Sequence, residues 1–370
     1  MKPNSFERRL LIAAGGTGGH LFPAQALVGG LKRRSDTLSF LFAGGGLRKN
    51  AFFQKEQPFR EVACGRLTDP RPWKFLPDTY KTLRGVAESL YLLRSYRPHL
   101  VVGFGSYHTL PILLAASLLR IPFILHEANA VPGKVVRLFA KRALVVGAQF
   151  PSALPLIGAK GRLIALPLRE EYRRAAVAKG EACNAFGLRE GRPLLLVFGG
   201  SQGAERLNRL AAAALSELSL RTPIQVIHLT GSAAAYEEVA ASYRAANIAA
   251  YVAPFERRMA LAFRAADLAI MRAGGSSIAE LCATATPAIL VPYPGSADGH
   301  QEKNADFVAN EMGGAVKLLE GELTGNRLAA TIEALLHGER LREMGRAIAA
   351  YRARPIQELE ECILEALEGE

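Results

Sequence analysis

At 370 residues the chain is long enough for two domains, and with 49% hydrophobic and 22% charged residues it can bury a core in each. That balance excludes disordered, collagen-like, coiled-coil and disulfide-scaffold classes. The formal net charge of +12 is uneven: residues 1–163 hold 24 Lys/Arg against 8 Asp/Glu, while residues 164–370 hold 22 against 26. A basic first half implies an anionic partner. Nucleic acid, a phosphate-bearing substrate and an anionic membrane surface stay open at this point, beside a plain solubility role. Cys64, Cys183, Cys282 and Cys362 are far apart and form neither a metal-ligand nor a redox pair, which suits a reducing compartment. Near the N-terminus only Leu10 to Ala14 are apolar before glycines break the run, too few for a secretory signal.

In chain order, short apolar runs at 10–14, 38–43, 100–104, 123–127 and 143–147 read as buried parallel strands, each followed by glycines or polar residues and a helical pattern. The same grammar restarts at 194–200, 224–231, 268–275 and 288–294. The expected fold class is therefore α/β, with two consecutive Rossmann-like parallel-sheet domains. The expected division is 1–163, with a C-terminal helix 350–370 packing back on it, and 164–349. The proline- and glycine-containing stretch from Pro151 to Pro167 reads as the linker, and Leu341 to Leu367 as helix interrupted at Pro355. The most apolar span, Leu110 to Leu125, is broken by Arg120 and two prolines and is too short to cross a membrane. Residues 71–84 interleave Trp73, Phe75, Leu76 and Tyr80 with Arg71, Lys74, Lys81 and Arg84. That mixture fits an interfacial membrane contact, or equally a loop whose aromatics pack inward.

The first domain carries three glycine-rich strand ends: Gly15-Gly16-Thr17-Gly18-Gly19-His20 before a helix expected near Pro23, then Gly44-Gly45-Gly46, then Gly103-Phe104-Gly105-Ser106-Tyr107. Bare glycine backbone and helix-terminal N–H groups suit an anion at the carboxyl edge of a parallel sheet. The spacing is neither that of a dinucleotide fingerprint nor of a P-loop, so nicotinamide and ATP sites are disfavoured. The second domain has Gly199 to Ala204 and Arg272 to Glu280, where glycines open a helix that carries Ser276 and Ser277. This order can hold a pyrophosphate at the helix start and a sugar diol on Glu280, which standing alone would read as an exposed helical acid.

GGTGGH followed by LFP, HEAN (126–129), GGSQGA (199–204), RAGGSSIAE (272–280) and PYPGSADGHQEKNA (292–305) occur in this order. Together they closely resemble the MurG family of N-acetylglucosaminyltransferases of bacterial peptidoglycan synthesis, across essentially the whole chain. The resemblance implies the GT-B fold, two Rossmann-like domains facing across a cleft. It also implies transfer of GlcNAc from UDP-GlcNAc to the C4 hydroxyl of MurNAc in undecaprenyl-pyrophosphoryl-MurNAc-pentapeptide (lipid I), with inversion, to give lipid II. The implied location is peripheral, on the cytoplasmic face of the plasma (inner) membrane. The implied partners are UDP-GlcNAc, lipid I and an anionic cytoplasmic membrane surface, with no nucleic acid.

By the same resemblance the donor site takes Ser201, Gly275, Ser276, Ser277, Ile278, Ala279, Glu280 and Gln301, with Glu280 on the ribose hydroxyls. Gln301 and Asn304 match contacts to the GlcNAc hydroxyls, and Thr17, Gly18, Gly19 and Asn129 match positions that close on the donor. Arg169 matches an arginine that approaches the pyrophosphate. Glu256 stands in the segment 255–259, whose backbone holds the uracil. Gly15, Gly16, Gly103, Gly105, Ser106 and Tyr107 form the acceptor loops. Two departures stand out: Ala165-Leu166-Pro167 replaces the usual Gly-Asn-Pro, and Gly105-Ser106-Tyr107 replaces two adjacent glycines before the tyrosine.

Inverting transfer needs a base on the acceptor hydroxyl and stabilisation of the departing UDP. His20 is the first choice of base, since an imidazole with an ordinary pKa of about 6.5 takes a proton at neutral pH. Glu127 is its partner or competitor, and His126 a second competitor; His300 is expected to position substrate. The chain has no Asp-x-Asp, so neither a metal–pyrophosphate bridge nor a cofactor is expected. Competing readings are a glycosyl diacylglycerol-type transferase, a non-catalytic UDP-sugar or anionic-lipid binding protein, and a UDP-sugar epimerase.

Overall fold

The computed structural model describes residues 8–66, 72–174, 177–200 and 203–368, and of residues 72–75 the backbone alone. The described residues up to Glu170, together with those from Ile356 on, form one compact unit, and Glu171–Pro355 form a second.

The first unit runs β1 (Arg8–Ala13), α1 (Gly18–Arg34), β2 (Leu38–Gly44), β3 (Phe59–Glu61), α2 (Pro72–Tyr96), β4 (Leu100–Gly103), α3 (Leu110–Leu118), β5 (Phe123–Glu127), α4 (Lys134–Phe139), β6 (Val146–Ala148), α5 (Leu154–Ile157) and β7 (Gly161–Ala165). Then come α6 (Glu170–Arg173), α7 (Lys179–Asn184), β8 (Leu194–Phe198), α8 (Glu205–Ser219), β9 (Gln225–Leu229), α9 (Ala233–Ala245), β10 (Ala249–Ala253) and α10 (Met259–Ala265). The second unit continues with β11 (Leu268–Met271), α11 (Gly275–Thr284), β12 (Ala288–Leu290), α12 (His300–Asp306), β13 (Ala315–Lys317), α13 (Gly325–Leu336) and α14 (Arg340–Arg352). Finally β14 (Gln357–Glu358) and α15 (Leu359–Glu368) return to the first unit.

Both sheets are parallel throughout, ordered β14-β7-β6-β5-β4-β1-β2-β3 and β10-β9-β8-β11-β12-β13. Strand order reverses direction between β1 and β4 in the first sheet and between β8 and β11 in the second. Open parallel sheets bind ligands at such reversals, outside the carboxyl ends of the strands. The glycine loops after β1, β4, β8 and β11 lie at these two places. β1 is buried on both faces: Leu10 and Ile12 pack on one side with α1 and α15, while Leu11 and Ala13 pack on the other with α3. From α15, Leu359, Ile363 and Leu367 supply one apolar stripe to the first of these cores.

The structure departs from the sequence reading in several places. α1 starts at Gly18, five residues before Pro23, which lies inside the helix. The stretch read as a linker forms a short helix and β7, which pairs with β6 in the first sheet. Its turn residues flank a five-residue strand, and their composition hid it. β3, β10, β13 and β14 also went unread, because they are short or carry too few β-branched residues to stand out. The C-terminal run is two helices separated by β14, since Pro355 cannot continue α14. Residues 72–84 belong to the 25-residue helix α2, not to a loop.

Candidate functional site

In the first unit the three glycine-rich strand ends are neighbours, because β2, β1 and β4 are adjacent. Their glycines have different causes. Gly16 (φ +88°) and Gly105 (φ +67°) adopt left-handed backbone, which glycine reaches without strain. Gly44 and Gly103 serve packing: a Cβ would lie 1.9 Å from the Ala14 carbonyl oxygen at the first and 2.9 Å from Leu125 at the second. Gly18 opens α1 and lies under the Phe22 ring, where a Cβ would come within 2.8 Å. Thr17 is the N-cap residue, and no acidic side chain occupies the first turn of α1, so its dipole favours an anion. Arg169 stacks its guanidinium 5.4 Å from the Phe22 ring centroid, one turn into the same helix.

His20 sits in that first turn, half-buried, with Nδ1 2.6 Å from the carbonyl oxygen of Phe104. A carbonyl oxygen only accepts, so Nδ1 carries the hydrogen, and the lone pair of the neutral ring lies on Nε2. His126 is different. It is 2% exposed, donates from Nε2 to the Ile164 carbonyl, and burial pushes its pKa down to about 4. The sequence offered it as a competing base, and burial rules that out. Glu127 is 5% exposed and committed to its own loop: Oε1 accepts from the Asn129 backbone and side-chain N–H groups, and Oε2 accepts from Gly133. Burial raises its pKa, and these donors oppose that rise. Glu127 thus organises the loop that presents Asn129. Ser106 holds the glycine-like conformation φ 69°, ψ 148°, and its Oγ accepts from the His108 N–H.

In the second unit, Ser201 lies outside the described residues. Around it, Gly200 and Gly203 have positive φ, and a Cβ on Gly203 would lie 2.8 Å from the Thr230 carbonyl oxygen. α11 starts at Gly275 with Gly274 as N-cap and no acidic residue in its first turn, the arrangement an anion favours. Ser276, Ser277, Ala279 and Glu280 are half-buried, whereas Gly275 and Ile278 are buried. Asn304 is fully buried and donates to the Ala273 carbonyl, so it holds the loop before α11 from beneath. Gln301 accepts the Tyr293 N–H on Oε1, which leaves its amide NH2 as the donor end. His300 donates from Nδ1 to the Ala297 carbonyl. Glu256 is 8% exposed. Burial would raise its pKa, yet hydrogen bonds from the Arg258 side chain and backbone and from Tyr251 outweigh that and pull it to about 2. Its carboxylate braces the turn at 256–258.

Three clusters pair residues whose partnership the sequence did not show. His108 Nδ1 lies 3.0 Å from Cys64 Sγ, against the first glycine loop. His228 bridges Tyr243 OH and Asn208 Oδ1, while Asn208 Nδ2 donates to the Thr230 carbonyl. Arg272 makes a buried bidentate pair with Glu320 and also donates to the Val291 and Pro292 carbonyls. None could be read one-dimensionally, since each joins residues of different segments, 15 to 48 positions apart in sequence.

Comparison with known proteins places the whole chain. Residues 10–148 match the Glycosyltransferase family 28 N-terminal domain and residues 194–359 the Glycosyltransferase family 28 C-terminal domain. The chain belongs to glycosyltransferase family 28. A relative from Protochlamydia amoebophila is 42% identical over 94% of this chain and 93% of its own length. It is named UDP-N-acetylglucosamine--N-acetylmuramyl-(pentapeptide) pyrophosphoryl-undecaprenol N-acetylglucosamine transferase. A protein of the same name from Moorella thermoacetica is 36% identical over 98% of this chain and 100% of its own. The crystal structure of Acinetobacter baumannii MurG, 26% identical, covers 98% of this chain and 100% of its own with a TM-score of 0.75. The expected family and the GT-B class of two parallel-sheet α/β domains hold.

Proposed function

We propose that this family 28 enzyme moves GlcNAc from UDP-GlcNAc to the C4 hydroxyl of MurNAc in undecaprenyl-pyrophosphoryl-MurNAc-pentapeptide, with inversion, in peptidoglycan synthesis. The substrates are those in the relatives' names. The chemistry rests on one observation, the contact of His20 Nδ1 with the Phe104 carbonyl. With Nδ1 donating there, the lone pair on Nε2 takes the proton of the acceptor hydroxyl while its oxygen bonds to the anomeric carbon. The bond from that carbon to UDP breaks with its electron pair on the diphosphate, a weak base that needs no strong acid.

Charge on the leaving group is offset by the N-terminus of α11 and by Arg169. Glu280 takes the ribose diol, the Gln301 amide takes sugar hydroxyls, and Asn304 supports the loop before α11. Thr17, Gly18, Gly19 and Asn129 complete the donor contacts, and Ser201, within the sequence GGSQGA, belongs with them by resemblance. The deciding experiment is incubation with UDP-[14C]GlcNAc and a lipid I analogue, then extraction of labelled lipid. Absence of label in the lipid fraction would reject the reading.

The same reading puts the first unit at the anionic cytoplasmic face of the plasma membrane as a peripheral protein, with no role for nucleic acid. Among the described residues no helix is long and apolar enough to cross a membrane. On α2, however, Leu76, Tyr80 and Leu83 are each about two-thirds exposed, at a spacing that shares one helix face. Lys81 and Arg84 lie beside them, also exposed. Trp73 and Phe75, also expected to serve this contact, have side chains outside the described residues. Within the apolar span from Leu110, Ile112, Leu113, Ala115 and Ala116 are buried in the core.

A further inference from the structure

The His108 imidazole sits where the loops after β1, β2 and β4 meet. A Cβ on Gly15 would lie 2.8 Å from His108 Cβ, and one on Gly45 would lie 2.6 Å from Nδ1 and 2.3 Å from Cys64 Sγ. Bare backbone at these two positions therefore makes room for the imidazole and the thiol. Gly16 is different. A Cβ there would meet the His108 ring edge, 3.0 Å from Cδ2 and 3.4 Å from Nε2, and lie 3.3 Å from Ser106 Oγ, so the ring edge and the hydroxyl both border this glycine. The opposite ring nitrogen, Nδ1, is the one that meets Cys64. The Tyr107 ring lies against it, with centroids 4.0 Å apart and planes tilted by 31°.

We propose that Cys64 is a positioning residue that fixes the tautomer of His108, so that Nε2–H donates to a phosphate oxygen of the acceptor above Gly16. An imidazole nitrogen is a good acceptor and thiol sulfur a poor one, so the S–H donates to Nδ1 and the ring hydrogen stays on Nε2. The reverse arrangement would point a lone pair at an anion. Burial, with the charge of His20 adding, lowers the His108 pKa to about 4, while burial and the charge of Asp78 raise the thiol to about 11. Both groups are thus neutral at pH 7, and the pair is a directed hydrogen bond and not a thiolate–imidazolium couple. The acceptor phosphate comes from the reading of function above, on which this inference rests.

The test is a kinetic comparison of full-length wild type, Cys64→Ala, Cys64→Ser, His108→Ala and the Cys64→Ala/His108→Ala double variant, with UDP-GlcNAc and a soluble lipid I analogue. Cys64→Ala is expected to raise the acceptor KM by up to about tenfold, the scale of one hydrogen bond. The donor KM and the melting temperature should stay near wild type. Cys64→Ser, which keeps a donor, should recover most of the loss, and the double variant should match His108→Ala alone. Equal effects of Ala and Ser at position 64, equal movement of both KM values, or additive losses would each overturn the proposal. 15N NMR of histidine-labelled protein, with His108→Asn to assign the signal, reads the tautomer directly; Nδ1–H in wild type would also overturn it. A wild type inactive with both substrates would reject the functional reading itself, whereas an active wild type with an unmoved acceptor KM in Cys64→Ala rejects this inference alone.

Discussion

The Nδ1 atom of His20 lies 2.6 Å from the carbonyl oxygen of Phe104, which ties the first turn of α1 to the residue just after β4. These two segments flank the point where strand order reverses in the first sheet. One contact thus sets the tautomer of the ring and fixes its place at the carboxyl edge. A ring anchored through Nδ1 loses less entropy when Nε2 meets its substrate.

His20→Ala should therefore cut turnover by roughly 10²–10⁴-fold, the range for loss of a general base, and leave UDP-GlcNAc affinity nearly unchanged. Steady-state rates with calorimetry of nucleotide-sugar binding check this. A variant within about threefold of wild type would remove the base role from His20, since that is well below the general-base range.

Ser106 occupies backbone space that suits glycine, at φ 69° and ψ 148°. Such conformations cost of order 1–3 kcal/mol in a residue with a Cβ. Ser106→Gly relieves that strain but loosens the unfolded chain by up to about 1 kcal/mol, so a net gain near 1 kcal/mol is expected. Urea unfolding measures it; a loss of stability would mean that the Oγ bond to the His108 N–H outweighs the strain.

The glycine loops were legible because their job is local: a strand ends, the backbone turns, and a helix starts. Gly16, Gly200 and Gly203 announce themselves by residue type, and their positive φ values follow. The sequence could not separate glycines that turn the chain from those that make room, such as Gly44 against the Ala14 carbonyl. Nor could it tell a half-buried histidine from a core one: His20 stands in the first turn of α1 and His126 near the end of β5, and only burial distinguishes them. Arg272 and Asn304 stand in motifs expected to meet ligand. In the folded unit they also secure the loops around α11, through partners from elements 30 to 50 residues away. β7 was hidden because its strand signal is weaker than the turn residues on either side.

The Arg272–Glu320 pair is buried at both ends and bidentate. Removing one partner leaves a buried unpaired charge, so Glu320→Leu should destabilise the protein by about 3–5 kcal/mol. Arg272→Met/Glu320→Leu should cost less than Glu320→Leu alone, because no lone charge remains. If the double variant is the less stable of the two, the carbonyl contacts of Arg272 matter more than the pair.

His228 supplies a pH test. Its buried ring accepts from Tyr243 OH on Nδ1 and donates from Nε2 to Asn208 Oδ1, and burial lowers its pKa to about 3. The unfolded chain binds a proton there below about 6.5, so between 6.5 and 3 the unfolded state holds more protons. The stability from this neutral ring is fully present above 6.5 and is lost as pH falls toward 3. His228→Gln should be less stable at pH 7.5 yet show a flatter fall in urea midpoint between pH 6.5 and 4. Parallel slopes for the two proteins would show that another group controls the acid transition.

On the function proposed above, an enzyme acting on a lipid-linked substrate holds its acceptor-binding unit at the bilayer, and α2 is the contact that reading points to. Leu76, Tyr80 and Leu83 lie on one exposed face, and Lys81 and Arg84 flank it. Each basic residue near an anionic leaflet adds on the order of 1 kcal/mol, a contribution that salt screens. Apolar side chains insert with a gain that salt does not remove. Binding to vesicles containing phosphatidylglycerol should therefore weaken in two separable ways. High salt should reduce it in wild type but leave a residue of binding, and Leu76→Ser/Tyr80→Ser/Leu83→Ser should abolish that residue. Because all three side chains already face solvent, the triple variant should fold normally and still turn over a water-soluble acceptor. Vesicle flotation at low and high salt, with soluble-acceptor kinetics on the same preparation, checks both halves. If the triple variant keeps its salt-resistant binding, the inserting surface lies elsewhere on the chain. If it loses activity toward the soluble acceptor as well, α2 touches the acceptor directly and does not act through the membrane.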